Sequence, residues 1–364
     1  MSSSNEPCWQ CPPQDATEVM AMPTKPLAEL EAMIGDSHRT VEGFRVEAGK
    51  VAEFARAITD PNPAFRDESV AREQGLDAVP APLTYPRVKR FPRYRADDGA
   101  AIDEGHYGFD LGFRPEYVLH GEQAYEYARP LLVGDELTGT TTLTDVYQRD
   151  GGRAGTMTFA VLETEYRDQS GELVLTDRAT AIETEGAVDD GESESESTET
   201  HDGPTAGGEP SDDTGTATPD PESVVSPRSA QDLVPGQTGP TIVVTELERR
   251  HFVTYAGASG DFNPIHYDEP YARSAGNESV FGQGMFTAGV ASRVVTDWFG
   301  RAAISSFGVR FQSRVFPGET IVATGEVTDV AGDGTVETAI EATTASGTTL
   351  LTGTATATLP ERKP

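Results

Sequence analysis

The chain has 364 residues, with 28 Lys+Arg against 60 Asp+Glu and a formal net charge of -32. A balance this negative repels nucleic acid and anionic membrane surfaces, which excludes both as partners. It suits a solvated surface in concentrated salt, where charge is heavily screened, and the length allows two or three domains with separate cores.

The first residues, Met1-Ser2-Ser3-Ser4-Asn5-Glu6, lack the basic start and apolar run of a secretion signal. No apolar stretch approaches membrane-spanning length, so a cytoplasmic protein is expected. Cys8 and Cys11 are the only cysteines, which rules out a disulfide framework. One C-x-x-C supplies two of the four ligands of a closed zinc site, and His38 is the only nearby histidine. Residues 1–24 therefore read as a disordered tail, with no metal site.

Residues 25–185 form the first sequence unit. Beyond them the composition changes sharply: residues 186–229 are Gly, Ser, Thr, Asp, Glu and Pro, including Gly191-Glu192-Ser193-Glu194-Ser195-Glu196-Ser197. Such a segment cannot offset the entropy of ordering and reads as a disordered acidic linker, kept extended by its own charge. Residues 230–361 form the second unit.

The two units read as diverged copies. Phe54-Ala55-Arg56-Ala57-Ile58-Thr59-Asp60-Pro61-Asn62-Pro63-Ala64-Phe65 lies without a gap on Tyr255-Ala256-Gly257-Ala258-Ser259-Gly260-Asp261-Phe262-Asn263-Pro264-Ile265-His266. Later, Arg129-Pro130-Leu131-Leu132-Val133-Gly134 echoes Ser313-Arg314-Val315-Phe316-Pro317-Gly318. Duplication accounts for both. In the second copy, 246–259 has a helical pattern, and Phe286, Val290, Val294 and Trp298 make one stripe of a helix ended by Gly300. Strand-like runs follow at 305–316, 319–330, 334–344 and 347–359, separated by turn residues. A long helix followed by an antiparallel meander is an α+β unit, with the helix covering one sheet face.

The loop Asp261-Phe262-Asn263-Pro264-Ile265-His266 brings a carboxylate, a carboxamide and an imidazole within six residues, and its proline stops the preceding helix from continuing. Asp261 and His266 can share a water and exchange protons with it. Downstream, Phe281-Gly282-Gln283-Gly284-Met285 places a glycine at a helix start, where its backbone N–H is free and the helix dipole favours a developing anion. Each residue has a plainer role open to it alone: a turn cap for Asp261, a structural histidine for His266, a backbone constraint for Gly284. Their order and spacing favour chemistry.

This stretch, from Phe252 to Met285, resembles the MaoC-like (R)-specific enoyl-CoA hydratase and 3-hydroxyacyl dehydratase family. The resemblance implies a double hotdog, two copies of a long helix wrapped by an antiparallel sheet, paired within one chain. It implies reversible hydration of a trans-2-enoyl-CoA to an (R)-3-hydroxyacyl-CoA, with Asp261 and His266 as the catalytic dyad. Gly284 would supply the oxyanion N–H, and Asn263 and Ser292 would be supporting residues. Many members carry His-Gly-Met where this chain has Gln283-Gly284-Met285. The chemistry needs no metal or redox cofactor. The implied partner is an acyl-CoA thioester, for which Arg293, Arg301, Arg310 and Arg314 are candidate cations, and the intramolecular pairing is compatible with a further homo-oligomer. An acidic acyl-carrier protein fits less well. Alternatives are a hydratase of the same mechanism acting on mesaconyl-CoA, a hotdog thioesterase, and a non-enzymatic acyl-CoA-binding scaffold.

The first copy keeps Asp60, Asn62 and Pro63 but has Phe65 in place of His266 and Ala81-Pro82-Leu83 in place of Gln283-Gly284-Met285. Proline has no N–H to donate. The N-terminal copy is therefore expected to be noncatalytic and to accommodate the acyl chain.

Overall fold

The computed structural model describes residues 23–96, 108–114, 117–150, 155–184 and 229–360. Nearly all of the expected tail, including Cys8 and Cys11, and of the expected linker lies outside the described residues.

The N-terminal half contributes β1 (Ser37–Arg45), β2 (Val118–Tyr127), β3 (Glu136–Asp150), β4 (Thr156–Arg167) and β5 (Leu173–Glu183). The C-terminal half contributes β6 (Ile242–Val244), β7 (Ile304–Phe311), β8 (Ile321–Val330), β9 (Thr335–Thr344) and β10 (Thr349–Thr358). All pair antiparallel in one ten-stranded sheet of order β1-β3-β4-β5-β2-β7-β10-β9-β8-β6. Read outward from the β2–β7 junction, the two halves have the same order: 2-5-4-3-1 and 7-10-9-8-6. This is the layout a duplication produces. The junction is a backbone ladder from Glu122↔Arg310 to Glu126↔Ser306. Strand residues alternate between buried and exposed, as in β8 and β9, so one sheet face meets a core.

That core is filled by the helix α6 (Gly284–Phe299), the longest in the described chain. The expected stripe of Phe286, Val290, Val294 and Trp298 is fully buried, yet the rest of the helix is buried as well, apart from Gly284 and Asp297. The reason is the second half. The stripe faces the sheet, where Val294 lies against Gly325 and Trp298 against Gly239. The opposite face meets the N-terminal half: a Cβ on Gly289 would collide with Ile58 and approach Thr84 Oγ1 to 3.3 Å, and Arg293 donates to Thr59 Oγ1 at 2.9 Å. Two shorter helices, α2 (Ala48–Ala57) and α4 (Arg249–Ser259), pack together across the halves, with the rings of Phe54 and Tyr255 5.8 Å apart. The other α-helices among the described residues are the short α1 (Leu27–Glu31), α3 (Glu68–Glu73) and α5 (Glu269–Ser274).

The expectation of a long central helix in both copies needs one correction. In the N-terminal copy the corresponding segment forms only 3-10 turns, Tyr85–Arg90 and Pro92–Tyr94, within the described residues up to 96. Pro82, Pro86 and Pro92 remove three donors and clash with a continuing helix. The strand expected at 305–316 ends at Phe311. Beyond it the chain turns so that Val315 O accepts from Gly282 N at 2.8 Å, which anchors the approach to α6.

The close contact of Gly289 with Ile58 gives a test of how the halves are held. Gly289→Val should destabilise the protein by about 1–3 kcal/mol through overpacking, and adding Ile58→Ala should recover part of that loss. Chemical unfolding of the three variants measures it; equal stability of Gly289→Val and the parent would contradict the packing.

Candidate active site

Helix α4 ends where the site begins. Gly260 caps it at φ 80, a left-handed conformation, and a Cβ there would also press on Phe91 of the other half at 3.1 Å. Both constraints select glycine. The chain then runs through Asp261 and Phe262 into a 3-10 turn, Pro264–His266, capped by the Asn263 side chain, which accepts from Ile265 N at 3.2 Å. The copy in the N-terminal half is built alike: Asn62 Oδ1 accepts from Ala64 N at 3.0 Å. Asn263 thus shapes the loop.

The turn buries Asp261 to 6% exposure and His266 to 7%. His266 Nδ1 lies 2.9 Å from Phe281 O. A carbonyl only accepts, so Nδ1 carries the proton and Nε2 of the neutral ring keeps a lone pair. Burial draws the His266 pKa below its ordinary value, against the opposing pull of Asp261, which favours that neutral form. The ring stands edge-on to Phe281 with centroids 5.2 Å apart. Gln283, 1% exposed, donates to Phe252 O at 3.1 Å and reaches Asp261 O at 3.5 Å. Its carboxamide therefore ties the Asp261 loop to the start of α6. Gly284 opens that helix and carries one of the N–H groups it leaves without an internal partner. A Cβ on Gly284 would meet the ring of Phe311 at 3.1 Å. Ser292 uses its hydroxyl inside the helix, donating to Gly289 O at 2.8 Å.

The environment of Asp261 comes largely from the other half. Arg90 Nη1 lies 3.2 Å from Asp261 Oδ2, and Arg87 Nη2 lies 3.7 Å from the same oxygen. Burial alone would raise the Asp261 pKa. The guanidinium groups of Arg90 and Arg87, with smaller contributions from His266 and His120, outweigh it and hold the carboxyl at about 2. His120, at the start of β2, lies against Phe311 with the rings tilted and their centroids 5.1 Å apart. Its Nε2 is sealed from solvent and has no hydrogen-bond partner among the described residues. Burial and the two arginines push its pKa well down, so the ring is neutral.

Two family models divide the chain between them. Residues 32–177 match the FAS1-like dehydratase domain region, and residues 233–348 match the MaoC like domain. The chain belongs to the MaoC-like dehydratase family.

This double hotdog is similar to a solved MaoC-like dehydratase at 23% identity and a TM-score of 0.68, over 91% of this chain and 100% of that one. It is similar to a MaoC-like dehydratase from Phytophthora capsici at 20% identity and a TM-score of 0.60, over 91% and 97%. A Mycobacterium tuberculosis protein described as a double hotdog fold matches at 16% identity and a TM-score of 0.57, over 89% and 96%. Among curated sequences, a UPF0336 protein of Thermobifida fusca is 36% identical over 39% of this chain and 86% of that protein. No helix among the described residues is long and apolar enough to cross a membrane.

The MaoC-like signature located Asp261, Asn263, His266 and Gly284 but gave no sign of Arg87, Arg90 or His120. One signal was available. Where α6 has Gly289-Val290-Ala291-Ser292, the first copy has Arg87-Val88-Lys89-Arg90, three cations in a chain short of them. Of the four arginines expected to meet a CoA carrier, two are misplaced for it. Arg301 is 1% exposed, bonded to Ala81 O, and lies over the Tyr127 ring; Arg293 is buried against Thr59. Arg310 is exposed beside Glu122, and Arg314 lies 5.1 Å from the Phe281 ring.

Asp60 sits where Asp261 sits in the other half, but among the described residues no arginine forms a salt bridge with it, and Arg293 and Arg66 offset its burial only in part. Burial, opposed by the bond from Asn62 N–H and supported by Asp297, raises its pKa from 3.8 to about 6. A raised carboxyl pKa makes the native state the tighter proton binder. This group's contribution to stability is therefore fully present below pH 3.8 and lost as pH rises through about 6. Asp60→Asn, an uncharged isostere, should stabilise the protein by about 2–3 kcal/mol at pH 7–8. The gain should fade as pH falls below about 6. Denaturant titrations at several pH values check it; a gain that is independent of pH would contradict the assignment.

Proposed function

We propose that the protein is a hydro-lyase that reversibly adds water to a trans-2-enoyl-CoA, giving an (R)-3-hydroxyacyl-CoA, at a single site in its C-terminal half. The observation that carries this reading is the buried pair of Asp261 and His266 beside the Gly284 N–H, with the carboxyl ionised and the imidazole neutral. An ionised aspartate held at about 2 is a weak base. Its role is to accept a hydrogen bond from the water and to balance charge on the ring. His266 Nε2 takes a proton as the water oxygen bonds to C3. The C2=C3 electron pair moves toward the thioester carbonyl, whose oxygen receives the Gly284 N–H. The imidazolium then returns its proton to C2 on the same face. One water is added across one double bond, and no electrons are left over.

The N-terminal half is assigned no chemistry of its own, since Phe65 and Pro82 replace the imidazole and the amide donor. Residues 25–185 and 230–361 are proposed as the two hotdog units, joined by residues 186–229. The acyl chain is proposed to lie between the halves.

A second reading has support from one observation. Arg87 and Arg90 set two guanidinium groups beside Asp261, and cations at the acyl pocket would favour a carboxylate on the acyl group, as in mesaconyl-CoA. Comparing kcat/KM for crotonyl-CoA and mesaconyl-CoA separates the two substrates.

Either Asp261→Asn or His266→Ala should lower kcat by about 10²–10⁴-fold. The double variant should be far less than multiplicatively worse, because the pair acts as a unit. Asp60→Asn should leave kcat unchanged. Loss of the enoyl thioester absorbance reports all four. Near-parental turnover by either single variant at the dyad, or equal losses from Asp60→Asn and Asp261→Asn, would reject the assignment.

A further inference from the structure

We infer that Arg87 and Arg90 are positioning residues that hold Asp261 as an anion, so that the half without a dyad of its own completes the site of the other. The role in turnover rests on the hydratase reading; the ion cluster itself does not.

Three observations carry the inference. The first is geometric. Both guanidinium groups approach the same oxygen, Asp261 Oδ2, at 3.2 and 3.7 Å, from one short turn, Tyr85–Arg90. The Arg87 side chain is 6% exposed and that of Arg90 26%, so water screens these charges little. Burying two guanidinium groups is costly unless they are paired, and a weakly stabilising surface role does not fit them. The second is the internal comparison. Asp60 occupies the matched position with similar burial, but Arg293, the arginine of the other half whose charge acts on it, donates to Thr59 Oγ1 instead. One fold thus holds two matched aspartates, one clamped by arginines and one not. The third is placement. The turn bearing Arg87 and Arg90 replaces the first part of the helix that the C-terminal copy forms there, with Pro86 inside it and Pro82 and Pro92 on either side. Asp261 is also faced by His266 from its own turn and by His120 from β2, both neutral by the burial described above. The arginines are therefore the fixed charges of the cluster.

The test follows the Asp261 carboxyl directly in the full-length protein. Carboxyl-labelled aspartate is observed by carbon NMR from about pH 4.5 to pH 8, and the Asp261 signal is assigned by its loss in Asp261→Asn. In the parent that signal should be flat. In Arg87→Gln/Arg90→Gln it should titrate within the window, near the Asp60 value of about 6. Arg87→Lys/Arg90→Lys should restore a flat line. The Gln pair should also show a new acid limb in kcat/KM near that midpoint, with at least about a tenfold loss one unit below it. If the double variant does not fold, Arg90→Gln alone should raise the midpoint into the window, since Arg90 is the closer of the two. A flat Asp261 signal in the folded Gln variant would overturn the inference. A shifted midpoint in a protein that hydrates no enoyl-CoA would reject the proposed reaction and leave the clamp standing. An unshifted midpoint in an active enzyme would reject the clamp alone.

Discussion

The backbone ladder between β2 and β7 is the constraint on which the rest of this structure depends. It spans only five residue pairs, yet it fuses two five-stranded sheets into one and fixes the halves back to back. With that register set, α6 is clasped by its own sheet on one face and by Ile58, Thr59 and Thr84 on the other. The same register brings the Tyr85–Arg90 turn against the Asp261 loop and sets His120 beside Phe311. A slip of one residue would exchange the faces of β2 and β7 and separate these groups. Association of the halves and assembly of the site are therefore one event.

Within that frame, and apart from the turns that stand in for α6, the aspartate loops of the two copies have diverged in electrostatics more than in backbone. The Asn62 and Asn263 caps, the prolines after them and the buried aspartates before them are shared. What differs is the set of charges each aspartate meets. Asp261 meets arginines and is held ionised; Asp60 meets mostly desolvation and Asp297 and is pushed up to about 6. A duplicated fold can thus keep a loop in both copies for its shape while only one loop has its acid–base partner and its amide donor. The stored cost at Asp60 is one that an uncharged side chain would relieve, and nothing in the site at Asp261 depends on it.

Much of this was legible in the sequence because it is local. The Asp–Asn–Pro–His loop, the glycine before α6, the four-residue stripe of that helix and the gapless match of the copies all lie in short windows, where spacing maps directly onto geometry. The strand runs were legible for the same reason, apart from 312–316, where the chain leaves the sheet to meet Gly282, a contact made at long range. The arginine cluster was legible only as an oddity between the copies, Arg87-Val88-Lys89-Arg90 against Gly289-Val290-Ala291-Ser292. Arg87 and Arg90 lie more than 170 residues from Asp261, and nothing in the sequence pairs them with it. The same limit misplaced Arg293 and Arg301, which look like surface cations in the sequence but are buried between the halves. The turns that replace the helix in the first copy are signalled locally by Pro82, Pro86 and Pro92.

In the proposed reaction, water adds across a carbon–carbon double bond without cleavage of the thioester. Incubation of the full-length protein with a trans-2-enoyl-CoA in deuterium oxide distinguishes the two outcomes. The expected product is an (R)-3-hydroxyacyl-CoA carrying one deuterium at C2, on the same face as the new hydroxyl, with the thioester intact. Release of free CoA, or an enoyl-CoA recovered unchanged from a folded protein, would contradict it.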